Sequence, residues 1–277
     1  MPNNAESNVI APLLNIMEKL RDPQTGCPWD KQQDFASIVP FTLEEAYEVA
    51  DAIEQADFTA LPDELGDLLF QVVFYCQLGK EQGMFDFADV VTRICNKLTR
   101  RHPHVFGEKV TEANALHTAT SVKQTWDEIK QSERQQKQQL SLLDDIPQVL
   151  PALNRAIKIQ KRVAKVGFDW PELGPVVAKV HEEIDEVLAE AQFLQAEPEI
   201  YQPKVLDEMG DLLFAVANMA RHLGVDPEQA LRQANQKFET RFKGVEQLAQ
   251  QSGVAMQDHT LAELDQYWDQ VKKQQRQ

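Results

Sequence analysis

Hydrophobic side chains recur along most of the chain at steps of three and four residues, a spacing that places them on one face of an α-helix. In the second half, Val180, Ile184, Val187, Leu188 and Ala191 form such a stripe. No segment alternates convincingly between apolar and polar residues, as a half-buried strand would. The pattern therefore predicts an all-α protein. The predicted helices span 9–21, 62–78, 86–101, 147–165, 173–194, 203–223 and 227–250.

Two helical assignments rest on local signals. Thr42 is a favourable N-cap residue and Glu45 follows at the capping-box position, so a further helix is predicted to begin there. The apolar run at 68–74 is continuous enough for a buried strand. The length of its segment and the matching run at 212–220 favour a central buried helix instead.

The acidic residues show that the two halves of the chain repeat each other. Glu-Glu-x-x-Glu occurs at 44–48 and again at 182–186. Asp-Glu-x-Gly-Asp-Leu-Leu-Phe occurs at 63–70 and again at 207–214. A repeat of roughly 140 residues indicates a duplicated domain rather than a solenoid unit.

A segment rich in Gln, Lys and Glu at 131–139 lies between the two copies. The whole chain of 277 residues is long enough for one large domain or two smaller ones, and the repeat favours two. We therefore predict tandem domains at 1–135 and 146–277.

The repeated acids predict a cation site. Glu64 and Asp67, like Glu208 and Asp211, lie one helical turn apart at the polar start of an apolar run. Packing such a helix against a Glu-Glu-x-x-Glu helix brings four carboxylates together. Two unit charges at 4 Å repel by about 4 kcal/mol at an effective dielectric of 20, so protons or a hard divalent metal must compensate them.

The ligand types favour Mg²⁺, with Mn²⁺ as a second choice, because zinc prefers Cys and His. A di-iron bundle requires Glu-x-x-His motifs, and the sequence contains none. Two structural alternatives remain open. One is a solvated acidic helix face, and the other is a set of N-terminal acids that the helix dipole favours.

Charge and cysteine content narrow the classes of partner. The formal net charge of −16 argues against binding of nucleic-acid polymers, which need clustered Lys and Arg, but not against binding of nucleotides. The chain has only 3 cysteines and no CxxC motif, which indicates a reducing compartment. We see no signal peptide and no apolar run of about 18 residues, so we expect a cytoplasmic protein without a membrane partner.

Basic and aromatic residues suggest what the acids act on. Lys237 and Arg241 lie four residues apart, as do Trp268 and Lys272, and Lys179 precedes Glu183 by four. Paired cations near an aromatic ring suit a phosphate chain and a base. Ordinary surface charge and a core tryptophan are the alternative. The chain has no GxxxxGK[ST] loop, so it is not a P-loop NTPase.

Together with further motifs, the acidic pattern resembles the MazG family. These motifs are Cys-Pro-Trp-Asp at 27–30, Arg-His-Pro-His-Val-Phe-Gly at 101–107 and Val-Gly-Phe-Asp-Trp at 166–170. The resemblance covers essentially the whole chain. It implies two tandem MazG-like helical bundles, a homodimer, and Mg²⁺-dependent hydrolysis of a broad range of NTPs and dNTPs to the monophosphate and pyrophosphate. Its implied role is the clearing of aberrant nucleotides.

The resemblance also implies roles for individual residues. The implied metal ligands are Glu183, Glu186, Glu208 and Asp211. The implied nucleotide-binding residues are Lys179, Lys237, Arg241, Trp268 and Lys272. Glu182 is the candidate to orient or deprotonate the attacking water, with Glu183 beside it in the catalytic set. Second-rank counterparts in the first domain are Glu45, Glu48, Glu64, Asp67, Lys97, Arg101, Trp126 and Lys130.

The two copies differ at one informative position. Counting from the acidic motifs, Lys179 in the second copy corresponds to Phe41 in the first. We therefore expect the second domain to be catalytic and the first to be a structural or regulatory copy, or a weaker site. Two other classes of function remain, a non-catalytic nucleotide-sensing regulator and a helical scaffold that binds proteins.

Overall fold

The computed structural model describes residues 9–106, the single positions 121, 122, 125, 129 and 133, and residues 141–275. The chain divides into two compact units, 1–133 and 134–277. Every regular element in the described ranges is helical, which confirms the all-α prediction. None of these helices is both long and apolar enough to span a bilayer.

The first unit is built on a long central helix. Within residues 9–106 its helices are α1 (Ala11–Leu20), α2 (Pro28–Gln32), α3 (Phe35–Glu54), α4 (Leu61–Glu81), α5 (Phe87–Arg101) and α6 (Pro103–Phe106). Helix α4 packs against α3 and α1. The core where they meet consists of Met17, Ile38, Val73, Phe74 and Leu78. The apolar run at 68–74 therefore belongs to a helix, as its length suggested, but only one face is buried, because Leu69 and Val72 are exposed.

Helix α3 begins eight residues before the predicted start, so the assignment of Thr42 as its N-cap is wrong. Asp34 caps the helix instead, because its side chain accepts a hydrogen bond from the Ser37 N–H at 2.8 Å. The Ser37 hydroxyl in turn accepts one from the Asp34 N–H at 2.9 Å. Thr42 lies inside the helix, donates to the Ile38 carbonyl at 3.1 Å and pairs with the Tyr75 hydroxyl at 2.9 Å.

The second unit repeats the arrangement of helices around its own acidic motifs. They are α7 (Ala152–Ala164), α8 (Leu173–Ala191), α9 (Pro198–His222), α10 (Pro227–Ser252), a 3₁₀ turn (Met256–Asp258) and α11 (Leu261–Gln274). Helix α9 packs along α8 and against α7, while α10 packs against α11. Small buried residues such as Ala215 and Ala217 on α9 let the helices approach closely. The pairing of α8 with α9 is what positions the acidic motifs.

Candidate metal and nucleotide site

Helices α8 and α9 bring three predicted carboxylates together. Glu183 and Glu186 lie one turn apart on α8, and Glu208 lies on the facing part of α9. Each contributes one oxygen to a group whose members are all within 4.8 Å of one another. The spacing of the Glu-Glu-x-x-Glu motif explains this directly, since positions i and i+3 share a helix face.

Glu183 is the buried member of this carboxylate cluster, with only 4% of its surface exposed. Its Oε1 accepts a hydrogen bond from Lys179 at 2.7 Å. Its Oε2 is buried and has no hydrogen-bond partner among the described residues. Because an unpaired buried carboxylate oxygen is costly, this atom is suited to a bound cation.

Electrostatic repulsion within the cluster is visible at Glu186. Desolvation, followed by the negative charge of Glu183, raises the pKa of Glu186 above its ordinary value. Lys179 opposes this effect. An all-oxygen set of crowded carboxylates fits a hard divalent cation, which would relieve the repulsion.

Lys179 bridges the acids on its own helix. Its Nζ donates to Glu182 Oε1 at 2.8 Å and to Glu183 Oε1 at 2.7 Å. These hydrogen bonds, the one to Glu182 first, raise the pKa of Lys179 above its ordinary value. Glu182 itself is exposed. A permanently protonated amine and a solvent-accessible carboxylate therefore lie beside the buried acid.

Asp211, the fourth predicted ligand, lies one turn after Glu208 and is outside the carboxylate cluster. Asp211 instead lines a pocket of about 650 Å³ together with Glu183 and Lys179. Pockets of this size accommodate a nucleotide-sized ligand. Of the four predicted ligands, Glu183 and Asp211 thus form one part of the wall of a substantial pocket, which we call the acidic pocket.

The remaining wall of the acidic pocket was not predicted from the sequence. It includes Gln160 of α7, Phe168 and Trp170 of the following loop, and Asn218 of α9. Gln160 and Asn218 are buried, with 5% and 9% of their surfaces exposed. Asn218 is a polar residue inside the apolar run at 212–220, and that exception was a signal that could have identified it.

An ion pair holds the loop that carries these aromatic residues. Asp169, between Phe168 and Trp170, accepts a hydrogen bond from Arg221 of α9 at 2.6 Å. His222 lies 3.0 Å from the same carboxylate oxygen. Arg221 first, and His222 to a smaller extent, lower the pKa of Asp169 below its ordinary value. The loop is therefore anchored to the helix that carries Glu208 and Asp211.

The other predicted basic and aromatic residues lie on the paired helices α10 and α11, and together we call them the basic cluster. It consists of Lys237, Arg241, Trp268 and Lys272, and none of these residues lines the acidic pocket. The Arg241 guanidinium lies 5.8 Å from the Trp268 ring centroid, and its Nε donates to Gln275 at 3.1 Å. Lys237 is exposed, and Lys272 lies 3.7 Å from Asp269.

The first unit repeats the acids. Oxygens of Glu45, Glu48 and Glu64 also lie within 4.8 Å of one another. Desolvation is the main cause of the raised pKa of Glu45 and of Glu64, and the charge of Asp67, which is exposed, adds to both shifts.

The structure describes two of the four other first-domain residues that were predicted to bind nucleotide, Lys97 and Arg101. Lys97 is exposed on α5. Arg101 and its neighbour Arg100 both bind Glu133, and these hydrogen bonds lower the pKa of Glu133 to about 2. Trp126 and Lys130 lie outside the described residues.

Comparison with known proteins finds one family along both halves of the chain. The MazG nucleotide pyrophosphohydrolase domain matches the chain twice, at 33–106 and 175–246. A nucleoside triphosphate pyrophosphohydrolase of Escherichia coli K12 is 55% identical over 267 residues, which cover 96% of this chain and 98% of that protein. The nucleoside triphosphate pyrophosphohydrolase/pyrophosphatase MazG of Thermotoga maritima is 41% identical, with 94% of each chain covered.

Proposed function

The chain belongs to the MazG nucleotide pyrophosphohydrolase family, and from that premise we propose that it hydrolyses a broad range of NTPs and dNTPs to the monophosphate and pyrophosphate. The observation that carries this proposal is the buried Glu183, whose Oε2 has no partner among the described residues and which lines the acidic pocket beside Lys179. We further propose that the enzyme clears aberrant nucleotides from the cytoplasmic pool.

The proposed cofactor is Mg²⁺, with Mn²⁺ as a substitute. Glu183, Glu186 and Glu208 would hold it, and Asp211, one turn further along α9, would complete the set. When bound, the cation supplies positive charge to the phosphate oxygens. The raised pKa of Glu186 and the unpaired Glu183 oxygen support this assignment.

The chain's own groups account for the remaining chemistry. Glu182 is exposed beside the cluster, so it can orient a water molecule and accept its proton. The water oxygen forms a new bond to the α-phosphorus. The bond from that phosphorus to the oxygen that bridges the α- and β-phosphates breaks, and pyrophosphate leaves. Lys179 lines the pocket as a protonated amine and neutralises charge on the departing pyrophosphate.

We propose that the basic cluster binds the phosphate chain from a second copy of the protein. Arg241 and Trp268 are already in contact, which holds the guanidinium in place. A homodimer is supported by a group of apolar side chains that one copy leaves exposed near its acids. These residues are Ile184, Leu188, Leu206, Met209, Leu213 and Phe214. Several large apolar side chains left exposed on two neighbouring helices are typical of an interaction surface.

The second domain is the proposed catalytic one, and the first a structural, regulatory or weakly active copy. Phe41 occupies the position of Lys179 and packs edge-on against Trp29, with ring centroids 5.5 Å apart. The first copy thus keeps the acids but places an aromatic ring where the second has a cation.

A nucleotide panel tests the reaction and the domain assignment together. The full chain with Mg²⁺ should release pyrophosphate and monophosphate, rather than phosphate and diphosphate. Glu208→Gln should lower turnover at least about 100-fold because it removes a metal ligand. Glu64→Gln should retain most of it, as should Glu239→Gln, which changes an exposed acid on α10.

Other outcomes would favour other functions. Nucleotide binding without pyrophosphate release by the unaltered chain would indicate a sensing regulator. A melting temperature that does not respond to Mg²⁺ plus nucleotide would favour a protein-binding scaffold. Equal losses from Glu64→Gln and Glu208→Gln would contradict the assignment of catalysis to the second domain.

A further inference from the structure

We propose that the residue directly after α11 determines whether the arginine of the basic cluster can hold a phosphate. Gln275 positions Arg241 in the second unit without neutralising it, whereas Glu133 at the equivalent place in the first unit forms an ion pair with Arg101. Gln275 is thus a positioning residue that acts through Arg241. The inference rests on the proposed function, because it concerns the phosphate chain of the same substrate.

Gln275 and Glu133 occupy equivalent positions in the two halves of the sequence. Each lies three residues after the lysine of a Trp-x-x-x-Lys pattern. The arginines that they contact, Arg241 and Arg101, are equivalent as well, since each follows a lysine by four residues. The two units therefore build the same contact, and the residue type on one side of it differs. The first unit has a carboxylate there, and the second has an uncharged amide.

In the first unit, Glu133 binds both arginines at the end of α5. Its Oε2 accepts a hydrogen bond from Arg101 Nη2 at 2.5 Å, and its Oε1 accepts one from Arg100 Nη2 at 2.6 Å. The Nε atoms of Arg100 and Arg101 also donate to Oε1, at 3.1 and 3.3 Å. Because these bonds lower the pKa of Glu133 to about 2, the carboxylate is charged at neutral pH. It takes the guanidinium edge that a phosphate would use.

In the second unit, the arginine is held by a single neutral hydrogen bond. Arg241 Nε donates to Gln275 Oε1 at 3.1 Å, and the guanidinium makes no ion pair within the part of the chain that the structure describes. The Trp268 ring, 5.8 Å away, also restrains it. Thr240 replaces the second arginine. An amide oxygen thus fixes the direction of the guanidinium but leaves its charge and its other N–H donors to an anion.

The residue type at this position controls a competition between two anions. A carboxylate of the same chain is present at a high effective concentration, so a phosphate must displace it before binding the arginine. An uncharged amide offers no such competition, because a phosphate makes charge-assisted hydrogen bonds that are roughly twice as strong as neutral ones. Arg241 is therefore available to a phosphate chain, whereas Arg101 is already occupied by Glu133.

The experiment titrates inorganic pyrophosphate into the full chain with Mg²⁺ and measures its affinity by calorimetry. Gln275→Glu should weaken binding about tenfold or more, because the new carboxylate pairs with Arg241. Gln275→Met should weaken it about threefold, because the guanidinium loses the acceptor that directs it. Gln274→Glu is the matched control, since it adds the same charge at the neighbouring exposed residue, and it should change the affinity by less than about twofold. In a chain that also carries Arg241→Ala, Gln275→Glu should have no more effect than Gln274→Glu.

Thermal stability separates neutralisation of Arg241 from damage to the fold. Gln275→Glu adds an ion pair to the folded protein, so its melting temperature should equal or exceed that of Gln274→Glu even though it binds pyrophosphate less tightly. The reverse change, Glu133→Gln, should lower the melting temperature at pH 7. Since the pKa of Glu133 is lowered by folding, the stability that this carboxylate contributes is present above pH 4.5 and is lost as the pH falls towards about 2. The effect of Glu133→Gln should therefore shrink below pH 4.5.

Two results would overturn the assignment of Gln275 alone. The first is equal affinity of Gln275→Glu and Gln274→Glu for pyrophosphate, and the second is a full effect of Gln275→Glu in the chain that lacks Arg241. If Arg241→Ala by itself does not weaken pyrophosphate binding, both this inference and the assignment of the basic cluster to the phosphate chain are wrong. Failure to release pyrophosphate from ATP, with pyrophosphate binding as expected, contradicts the proposed reaction alone.

Discussion

Adjacent glutamates of one motif have different environments, and this difference determines their chemistry. Glu182 is exposed, whereas Glu183 is buried and has an oxygen without a partner in the described structure. Spacing alone indicated that the acids would converge, because residues three and four apart share a helix face. It did not indicate that Asp211 would line the pocket outside the carboxylate cluster, nor that Gln160 would line the same pocket. Those facts depend on how α7 packs against α9.

Glu186→Gln should raise the melting temperature of the metal-free protein at pH 7. The pKa of Glu186 is raised in the folded state, so folding disfavours its charged form. That penalty is absent below the unfolded value near 4.5 and is fully present above the folded pKa. The increase in melting temperature that Glu186→Gln gives should therefore disappear as the pH falls below 4.5. Thermal melts in EDTA at several pH values measure it.

The same variant should lose most of the stabilisation that Mg²⁺ gives the unaltered protein, because a metal ligand is removed. Glu239→Gln provides the matched control on an exposed helix face. A melting temperature for Glu186→Gln at pH 7 that equals or lies below that of the unaltered protein would mean that the carboxylates do not repel one another.

At the scale of elements, the sequence predicted the helices better than their ends. The start of α3 was misplaced because Thr42 looks like a cap, while the working signal was the Asp34 and Ser37 pair. Helix α9 starts at Pro198 rather than near 203, so Pro203 lies inside the helix. In both cases the helix begins at an earlier local signal, a capping box for α3 and a proline in the first turn for α9. Helix α11 was not predicted as a separate element, although Trp268 and Lys272 were predicted to share a face.

The contact between α10 and α11 depends on the absence of a side chain at Gly244. A Cβ at this position would lie 2.8 Å from a methyl group of Val271, a β-branched residue that is 6% exposed. We expect Gly244→Ala to destabilise the protein, since overpacking costs about 1–3 kcal/mol and exceeds the helix-propensity gain of about 1 kcal/mol. It should also raise the KM for ATP, because α11 carries Trp268.

Denaturant unfolding and steady-state kinetics check this expectation. Gly174→Ala is the matched control, since a Cβ there meets nothing within 4 Å. The control should be neutral or slightly stabilising and should leave KM unchanged. If Gly244→Ala were as stable as the control, the close contact between the two helices would not be a determinant of the fold.

For the whole molecule, the duplication was evident from the acids, but the difference between the copies became clear only in three dimensions. Both units hold three carboxylates within 4.8 Å. In the first, Phe41 and Trp29 are in contact, whereas in the second Lys179 and Trp170 line one pocket. Conservation of the acids therefore does not reveal which copy holds a nucleotide. The neighbouring replacements, which alter the space available, are more informative.

The separation of the acidic pocket from the basic cluster leads to a prediction about the assembly. If each site combines the acids of one copy with the basic cluster of its partner, Glu208→Gln and Arg241→Ala should each be nearly inactive as homodimers. A mixed dimer of the two would contain one site in which both halves are intact. Differently tagged chains, coexpressed and purified through both tags, provide that species.

The mixed dimer should recover about half the turnover of the unaltered protein, because a two-fold symmetric dimer has two equivalent sites and one is restored. Repeating the assay with Glu208→Gln and Asp211→Asn is the control, since both changes affect the same half-site and no combination restores it. If turnover is recovered only in the first pairing, each active site must contain residues from two copies. If the first pairing stays as inactive as the control, Arg241 must act within its own copy. Each active site would then combine the acids and the basic cluster of a single chain.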